Sequence, residues 1–125
     1  TEDCANSYTT RHLAFEFHYF FMRKFWLVYL AKALVAFPGG FGTLDEFFEG
    51  ITLVQTGKLR KKVPIVLYGS GFWDQGMNLD ALVRFGTISP EDLQLFHKTD
   101  SVDEAFEIIT RELMANALAR PGGEL

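Results

Sequence analysis

Ala33-Leu34-Val35-Ala36-Phe37-Pro38-Gly39-Gly40-Phe41-Gly42-Thr43-Leu44-Asp45-Glu46 is the stretch on which the fold turns. Its first five residues form a short continuous apolar run that stops at Pro38, the pattern of a strand buried on both faces of a parallel sheet. A helix is expected to open at Thr43, carrying Leu44, Phe47, Phe48, Ile51, Leu53 and Val54 at helical spacing, and Gly57 stands where it would stop. Between strand and helix, Gly39, Gly40 and Gly42 supply a backbone that can curl tightly and present its N–H groups outward. The helix start adds unsatisfied N–H groups and the positive end of a dipole. A strand, a glycine turn and a helix start in that order are expected to seat a phosphate.

Upstream, Leu13-Ala14-Phe15-Glu16-Phe17 alternates in part and reads as a strand. Tyr19 to Lys24 is a turn into a helix running to about Lys32, apolar on more than one side and therefore expected to be buried. Downstream, Gly50 inside the helix hints at close packing. The basic run from Lys58 to Lys62 reads as a solvated loop, and Val63 to Tyr68 as a second buried strand with Pro64 near its start. Gly69-Ser70-Gly71 reads as a turn, and Phe72 to Phe85 as one helix, irregular near Gly76. Leu93-Gln94-Leu95-Phe96 is expected to be a third strand, and Asp100 or Ser101 to cap a last helix carrying Val102, Ala105, Phe106, Ile109 and Leu113. Strands alternating with helices predict an α/β fold with a parallel sheet and right-handed crossovers. Ligands in such sheets lie at the C-terminal strand ends, so Tyr19 to Lys24, Pro38 to Thr43 and Gly69 to Trp73 are expected to converge on one crevice.

The 125 residues suffice for one domain with a real core. With 48% apolar and 22% charged residues, the composition is that of a globular protein rather than a disordered one. A net charge of −4 argues against general nucleic-acid binding, which needs a basic face. The apolar stretch from Phe15 to Phe37 is interrupted by Arg23, Lys24 and Lys32, so no membrane span is expected. A lone Cys4 fits a reducing cytoplasm. His12, His18 and His97 are scattered without metal-ligand spacing, and neither a metal nor a cofactor is expected. The opening Thr1-Glu2-Asp3-Cys4, without Met, suggests a piece of a longer polypeptide.

The glycine turn fits neither common nucleotide fingerprint. A Walker A loop needs a Lys before the Ser or Thr, and a dinucleotide loop needs a third glycine in register; Gly-Gly-x-Gly-Thr has neither. Thr43 and Glu46 have the spacing of a capping box, which accounts for Glu46 as well as a catalytic role does. Arg23 and Lys24, beside Tyr19, Phe20, Phe21, Phe25 and Trp26, offer a fork and a point charge suited to phosphate or a carboxylate partner. No Ser-His-Asp set and no Cys nucleophile with a paired His is visible. A phosphate cradle, one acid and one arginine remain.

Pro38-Gly39-Gly40-Phe41-Gly42-Thr43-Leu44-Asp45-Glu46, with Arg23-Lys24 upstream, resembles the signature PGGxGTxxE of the Lonely Guy (LOG) family. Phe20-Phe21-Met22-Arg23-Lys24 and Leu53-Val54-Gln55-Thr56-Gly57 are similar to the larger bacterial branch of that family. The resemblance implies a Rossmann-like parallel sheet with flanking helices, of which this chain is the C-terminal part of a single domain, lacking the N-terminal half. It implies hydrolysis of the N-glycosidic bond of AMP or its N6-substituted cytokinin ribotides to free base and ribose 5-phosphate. Arg23 and Glu46 are then the catalytic pair, and Lys24, Gly39, Gly40, Phe41, Gly42 and Thr43 bind substrate and its phosphate. A homodimer or larger homo-oligomer is also implied, with the helix from Phe20 to Lys32 as its surface. The alternative is a non-catalytic nucleotide- or molybdenum-cofactor-binding protein of the same fold. Members are often labelled lysine decarboxylases, but nothing here marks a pyridoxal-phosphate lysine.

Overall fold

A three-stranded parallel sheet in the order β1-β2-β3 organises the computed structural model, which describes residues 7–14, 16, 18–58 and 63–119. The strands are β1 (Leu34–Ala36), β2 (Ile65–Tyr68) and β3 (His97–Thr99). Leu34, Val35 and Ala36 pair with Ile65, Val66 and Leu67, and Val66, Leu67 and Tyr68 pair with His97, Lys98 and Thr99. Helix α1 (Phe20–Leu30) precedes β1, α2 (Phe41–Gln55) joins β1 to β2, and α5 (Val102–Ala119) follows β3. The expected α/β architecture with flanking helices is the one observed.

Side chains alternate across the strands, because successive residues point to opposite faces. Ile65 and Leu67 of β2 join Ala36, Phe47, Trp73 and Phe96 in one buried cluster, while Val66 turns the other way onto Ala105 and Ile108 of α5. Phe47 is fully enclosed, with its ring centroid 5.9 Å from that of Trp73 and 5.8 Å from that of Phe96. Burial of a phenylalanine of this kind contributes about 1.5–3 kcal/mol. The indole N–H of Trp73 donates to the Tyr68 carbonyl at 2.9 Å, so this buried ring leaves no polar atom unsatisfied. Gly50 is where α2 meets β1: a Cβ there would lie 2.9 Å from Leu34 Cδ2. Gly57, at φ 65°, ends α2 as its position suggests, its N–H donating to the Val54 carbonyl.

Five expectations are corrected. Where a strand over Leu13–Phe17 was expected, Arg11–Leu13 forms a 3-10 turn; Phe15 and Phe17 lie outside the described residues, and β1 pairs only with β2 among those described. Helix α1, expected to be buried, exposes Phe21, Phe25, Trp26, Leu27, Tyr29 and Leu30. A helix apolar all round needs cover on every side, and α2 covers one. Helix α2 begins at Phe41 rather than Thr43.

The single helix over Phe72–Phe85 is two helices, α3 (Ser70–Gly76) and α4 (Leu79–Arg84), because Asn78 Oδ1 accepts the Ala81 N–H at 3.0 Å and caps a new start after Gly76. Leu93 and Gln94 belong to a 3-10 helix over Pro90–Gln94, and the third strand begins at His97. Pro90 in the first turn, with the Ser89 N–H donating to Asp92 Oδ2 at 2.8 Å, starts that turn and overrides the apparent alternation. Of the basic run from Lys58 to Lys62, residues 59–62 lie outside the described residues.

Candidate functional site

The three strands end on one side of the sheet, and their loops are tied together there. Gly69 sits in the left-handed region at φ 92°, and a Cβ on it would lie 3.0 Å from Pro38 Cγ, so the loop after β2 abuts the glycine turn after β1. The rings of Phe37 and Tyr68 meet at 5.3 Å. The Tyr68 hydroxyl donates to the Asp100 carbonyl at 3.0 Å, and Asp100 accepts from the Ser70 N–H at 2.7 Å and the Ser70 hydroxyl at 2.5 Å. These bonds to its charged form hold the Asp100 carboxyl below its ordinary range. Pro38–Thr43 and Gly69–Trp73 therefore do converge, as their places after parallel strands suggest.

At the glycine turn, Gly40 is the N-cap of α2, and no side chain caps that helix. The N–H groups of Phe41, Gly42 and Thr43 thus have no partner in the preceding turn, and no acidic residue occupies the first turn. Gly39 is required by contact: a Cβ there would fall 2.2 Å from Thr43 Oγ1, so the threonine hydroxyl lies directly over the turn. Around Gly40 and Gly42 a Cβ would meet nothing within 4 Å. Packing does not demand glycine at these two positions, and the bare backbone there is open to close approach by another group. Phe41 points outward and is 91% exposed.

Because α2 starts at Phe41, Glu46 lies in its second turn and Thr43 is not an N-cap, so the capping-box reading of the Thr43–Glu46 pair is set aside. Glu46 instead lines a cavity of about 240 Å³ along β1, together with Phe37, Pro38 and Thr43. It also borders a smaller apolar cavity of about 70 Å³ beside Leu27, Val28 and Ala31 of α1. Among the described residues, no hydrogen bond or ion pair engages its carboxylate. The structure gathers Glu46, Thr43 and Pro38 on one cleft at the start of α2.

Arg23 and Lys24 lie on α1, not at a strand end; the Arg23 N–H donates to the Tyr19 carbonyl at 3.3 Å and the side chain is exposed. Lys24 reaches α2, where its Nζ is 2.7 Å from Asp45 Oδ2 and 3.0 Å from Glu49 Oε2. Close pairing with Asp45 and then with Glu49 raises the Lys24 ammonium above its ordinary range. Sequence reading missed Glu49, although an acid pair spaced i, i+4 on α2 is a signal for a facing cation. It also missed the Ser70–Asp100 tie, which joins positions 30 residues apart and leaves no local pattern. Among the described residues, no group of three or more His, Cys, Asp or Glu could hold a metal ion. No helix among them is long and apolar enough to cross a membrane.

The family model described as "Possible lysine decarboxylase" matches residues 3–114. The cytokinin riboside 5'-monophosphate phosphoribohydrolase LOG7 of Arabidopsis thaliana is 31% identical over 118 residues, covering 82% of this chain and 54% of the relative. The cytokinin riboside 5'-monophosphate phosphoribohydrolase LOG of Oryza sativa subsp. japonica is 39% identical over 70 residues, covering 55% of this chain and 28% of the relative. The chain thus spans about half the length of the first of these relatives and less of the second. A match that runs from residue 3 to 114, across the glycine turn, Glu46 and the Arg23-Lys24 pair, makes the chain a member of the LOG family, the group covered by that lysine-decarboxylase-labelled model.

Proposed function

We propose that the intact protein hydrolyses the N-glycosidic bond of a nucleoside 5'-monophosphate, AMP or an N6-substituted cytokinin ribotide, to free base and ribose 5-phosphate. The observation that carries this reading is the position of Glu46, unengaged among the described residues and bordering a cleft of about 240 Å³ one turn beyond an uncapped helix start. In the proposed complex the 5'-phosphate lies on the N–H groups at Gly39, Gly40, Phe41 and Gly42 and on the Thr43 hydroxyl. The ribose then extends toward Glu46. Cleavage passes the bonding electron pair to the base, which takes up a proton, while water adds to the anomeric carbon. The positive charge that builds on the sugar is stabilised by the Glu46 carboxylate, which also positions the water. Arg23 is the catalytic partner from α1.

The larger bacterial branch of the family, a homodimer or larger homo-oligomer and a cytoplasmic setting complete the proposal. The exposed aromatic face of α1 is the surface proposed for self-association, being an apolar patch of the kind that marks an interface. The edge of β1 away from β2 is where the remaining half of a single Rossmann-like domain is proposed to join. To test the reaction, the intact protein is incubated with AMP and with N6-isopentenyl-AMP, and free base is followed by chromatography. Release of adenine or its N6-substituted form supports the proposal. Tight binding of either nucleotide with no base released overturns it in favour of a non-catalytic nucleotide- or molybdenum-cofactor-binding protein.

A further inference from the structure

Sequence reading groups Lys24 with the substrate ligands, but its contacts give it another task. Its side chain is one-fifth exposed, and the ammonium sits between two carboxylates of α2, 2.7 Å from Asp45 and 3.0 Å from Glu49. Glu49 Oε2 is shut off from solvent and has no hydrogen bond of good angle, so the nearby Lys24 charge is what offsets its desolvation. Asp45 and Glu49 are one turn apart, and without a cation between them they repel. The clamp members are also neighbours in sequence of both proposed catalytic groups: Arg23 precedes Lys24 on α1, and Glu46 follows Asp45 on α2. Among the described residues, few other contacts join helix α1 to α2, and the rings of Phe21, Phe25, Trp26 and Tyr29 are exposed.

We infer that the Lys24–Asp45–Glu49 triad is a positioning clamp that sets the rotation of α2 and seats α1 on it, holding Arg23 and Glu46 in a fixed relation across the junction of the two helices. Lys24 acts through α2 rather than by holding phosphate. The inference deepens the phosphoribohydrolase reading and rests on it for its kinetic readout alone. A displaced catalytic pair lowers turnover, whereas a lost phosphate ligand weakens binding of every phosphorylated ligand.

The test uses the intact protein with Asp45→Asn/Glu49→Gln, Lys24→Met, the combination of all three, and Lys24→Arg. Turnover of AMP, inhibition by ribose 5-phosphate and amide hydrogen exchange in α1 are measured for each. The double variant and Lys24→Met are each expected to lose roughly 10–100-fold in kcat. Inhibition by ribose 5-phosphate should shift by less than about threefold, and the combined variant should be no worse than either parent. Exchange in α1 should rise, and Lys24→Arg, which keeps both ion pairs, should restore kcat to within about tenfold of wild type. The clamp is overturned if Lys24→Met weakens ribose 5-phosphate inhibition tenfold or more with kcat kept, or if the double variant leaves kcat and α1 exchange unchanged. Should the wild-type protein release no base, the reaction proposal falls by itself, and the exchange of α1 in the double variant alone decides the clamp.

Discussion

Helices α2 and α5 both follow a parallel strand and both cover the sheet, yet their first turns are built differently. At α5 the chain satisfies itself: the Ser101 hydroxyl accepts the Glu104 N–H at 3.2 Å, Thr99 Oγ1 accepts the Ser101 N–H at 3.1 Å, and Asp103 and Glu104 place negative charge on the positive end of the helix. At α2 the cap is Gly40, no side chain accepts from the first turn, and no acid occupies it. The polar groups that α5 supplies from its own sequence must come to α2 from outside. Glu46, the nearest acid on the cleft side, stands one turn too far along to cap and borders the space in front instead.

The largest effect expected from this contrast is at Glu46. Glu46→Gln should lower kcat by about 10²–10⁴-fold, the range for loss of a catalytic acid or electrostatic stabiliser. Its melting temperature should stay within about 2 °C of wild type, because no bond within the described residues is lost. Retained activity, measured by base release, would show that the carboxylate is not part of the chemistry.

Gly40→Asp converts the start of α2 into one like that of α5. The added Cβ meets nothing within 4 Å, and the carboxylate can accept the N–H of Gly42 or Thr43. Stability should then rise by a few tenths to about 1 kcal/mol. Inhibition by ribose 5-phosphate should weaken tenfold or more, since the new carboxylate takes the place of a phosphate oxygen and repels the rest. Opposite signs in melting temperature and in phosphate affinity are the signature sought. A variant that is stabilised and still binds would separate the bare helix start from any ligand.

Ser101→Ala is the reverse operation at α5, and it should cost about 1 kcal/mol in denaturant unfolding. Phosphate affinity should not change, because that helix start is closed by its own residues.

How much of this contrast the sequence discloses depends on the range of the interactions. The β1–turn–α2 unit is legible because a continuous apolar run, a Pro-Gly-Gly stop and a helical stripe follow one another within about twenty residues. The start of α2 is misread by two residues because Thr43 and Glu46 mimic a capping box, and only the backbone shows Gly40 to be the cap. The surroundings of α1 are not legible, since a helix apolar on several sides carries no information about which side is covered. The third strand is displaced because Pro90 and Asp92 start a 3-10 turn that absorbs Leu93 and Gln94, leaving His97–Thr99 to pair. The Lys24 clamp joins α1 to α2 across the intervening strand, beyond the reach of any periodicity. Asp100 and Ser101 are equivalent as caps in sequence; the structure gives the cap to Ser101 and frees Asp100 for Ser70.

That division of labour yields the smallest and most pH-specific expectation. Asp100 accepts two hydrogen bonds from Ser70, and these hold its carboxyl below the ordinary value of 3.8. A group whose pKa is lower folded than unfolded contributes stability above the unfolded value and loses it as pH falls through the folded one. The tie between the loops after β2 and β3 is therefore at full strength at neutral pH and weakens in acid, as the pH nears the unfolded value of 3.8 and falls through the lower folded one. Comparing wild type with Asp100→Asn by urea denaturation between pH 7 and pH 3 reads this directly. The stability difference should be constant down to about pH 5 and shrink below it. Because Asp100 is exposed the difference is small, and because Gly69 lies against Pro38 any change in it is carried to the edge of the glycine turn. Ribose 5-phosphate inhibition of Asp100→Asn at pH 7 should accordingly weaken by no more than about threefold, far less than for Gly40→Asp, since the N–H groups of α2 stay in place while one wall beside them loosens.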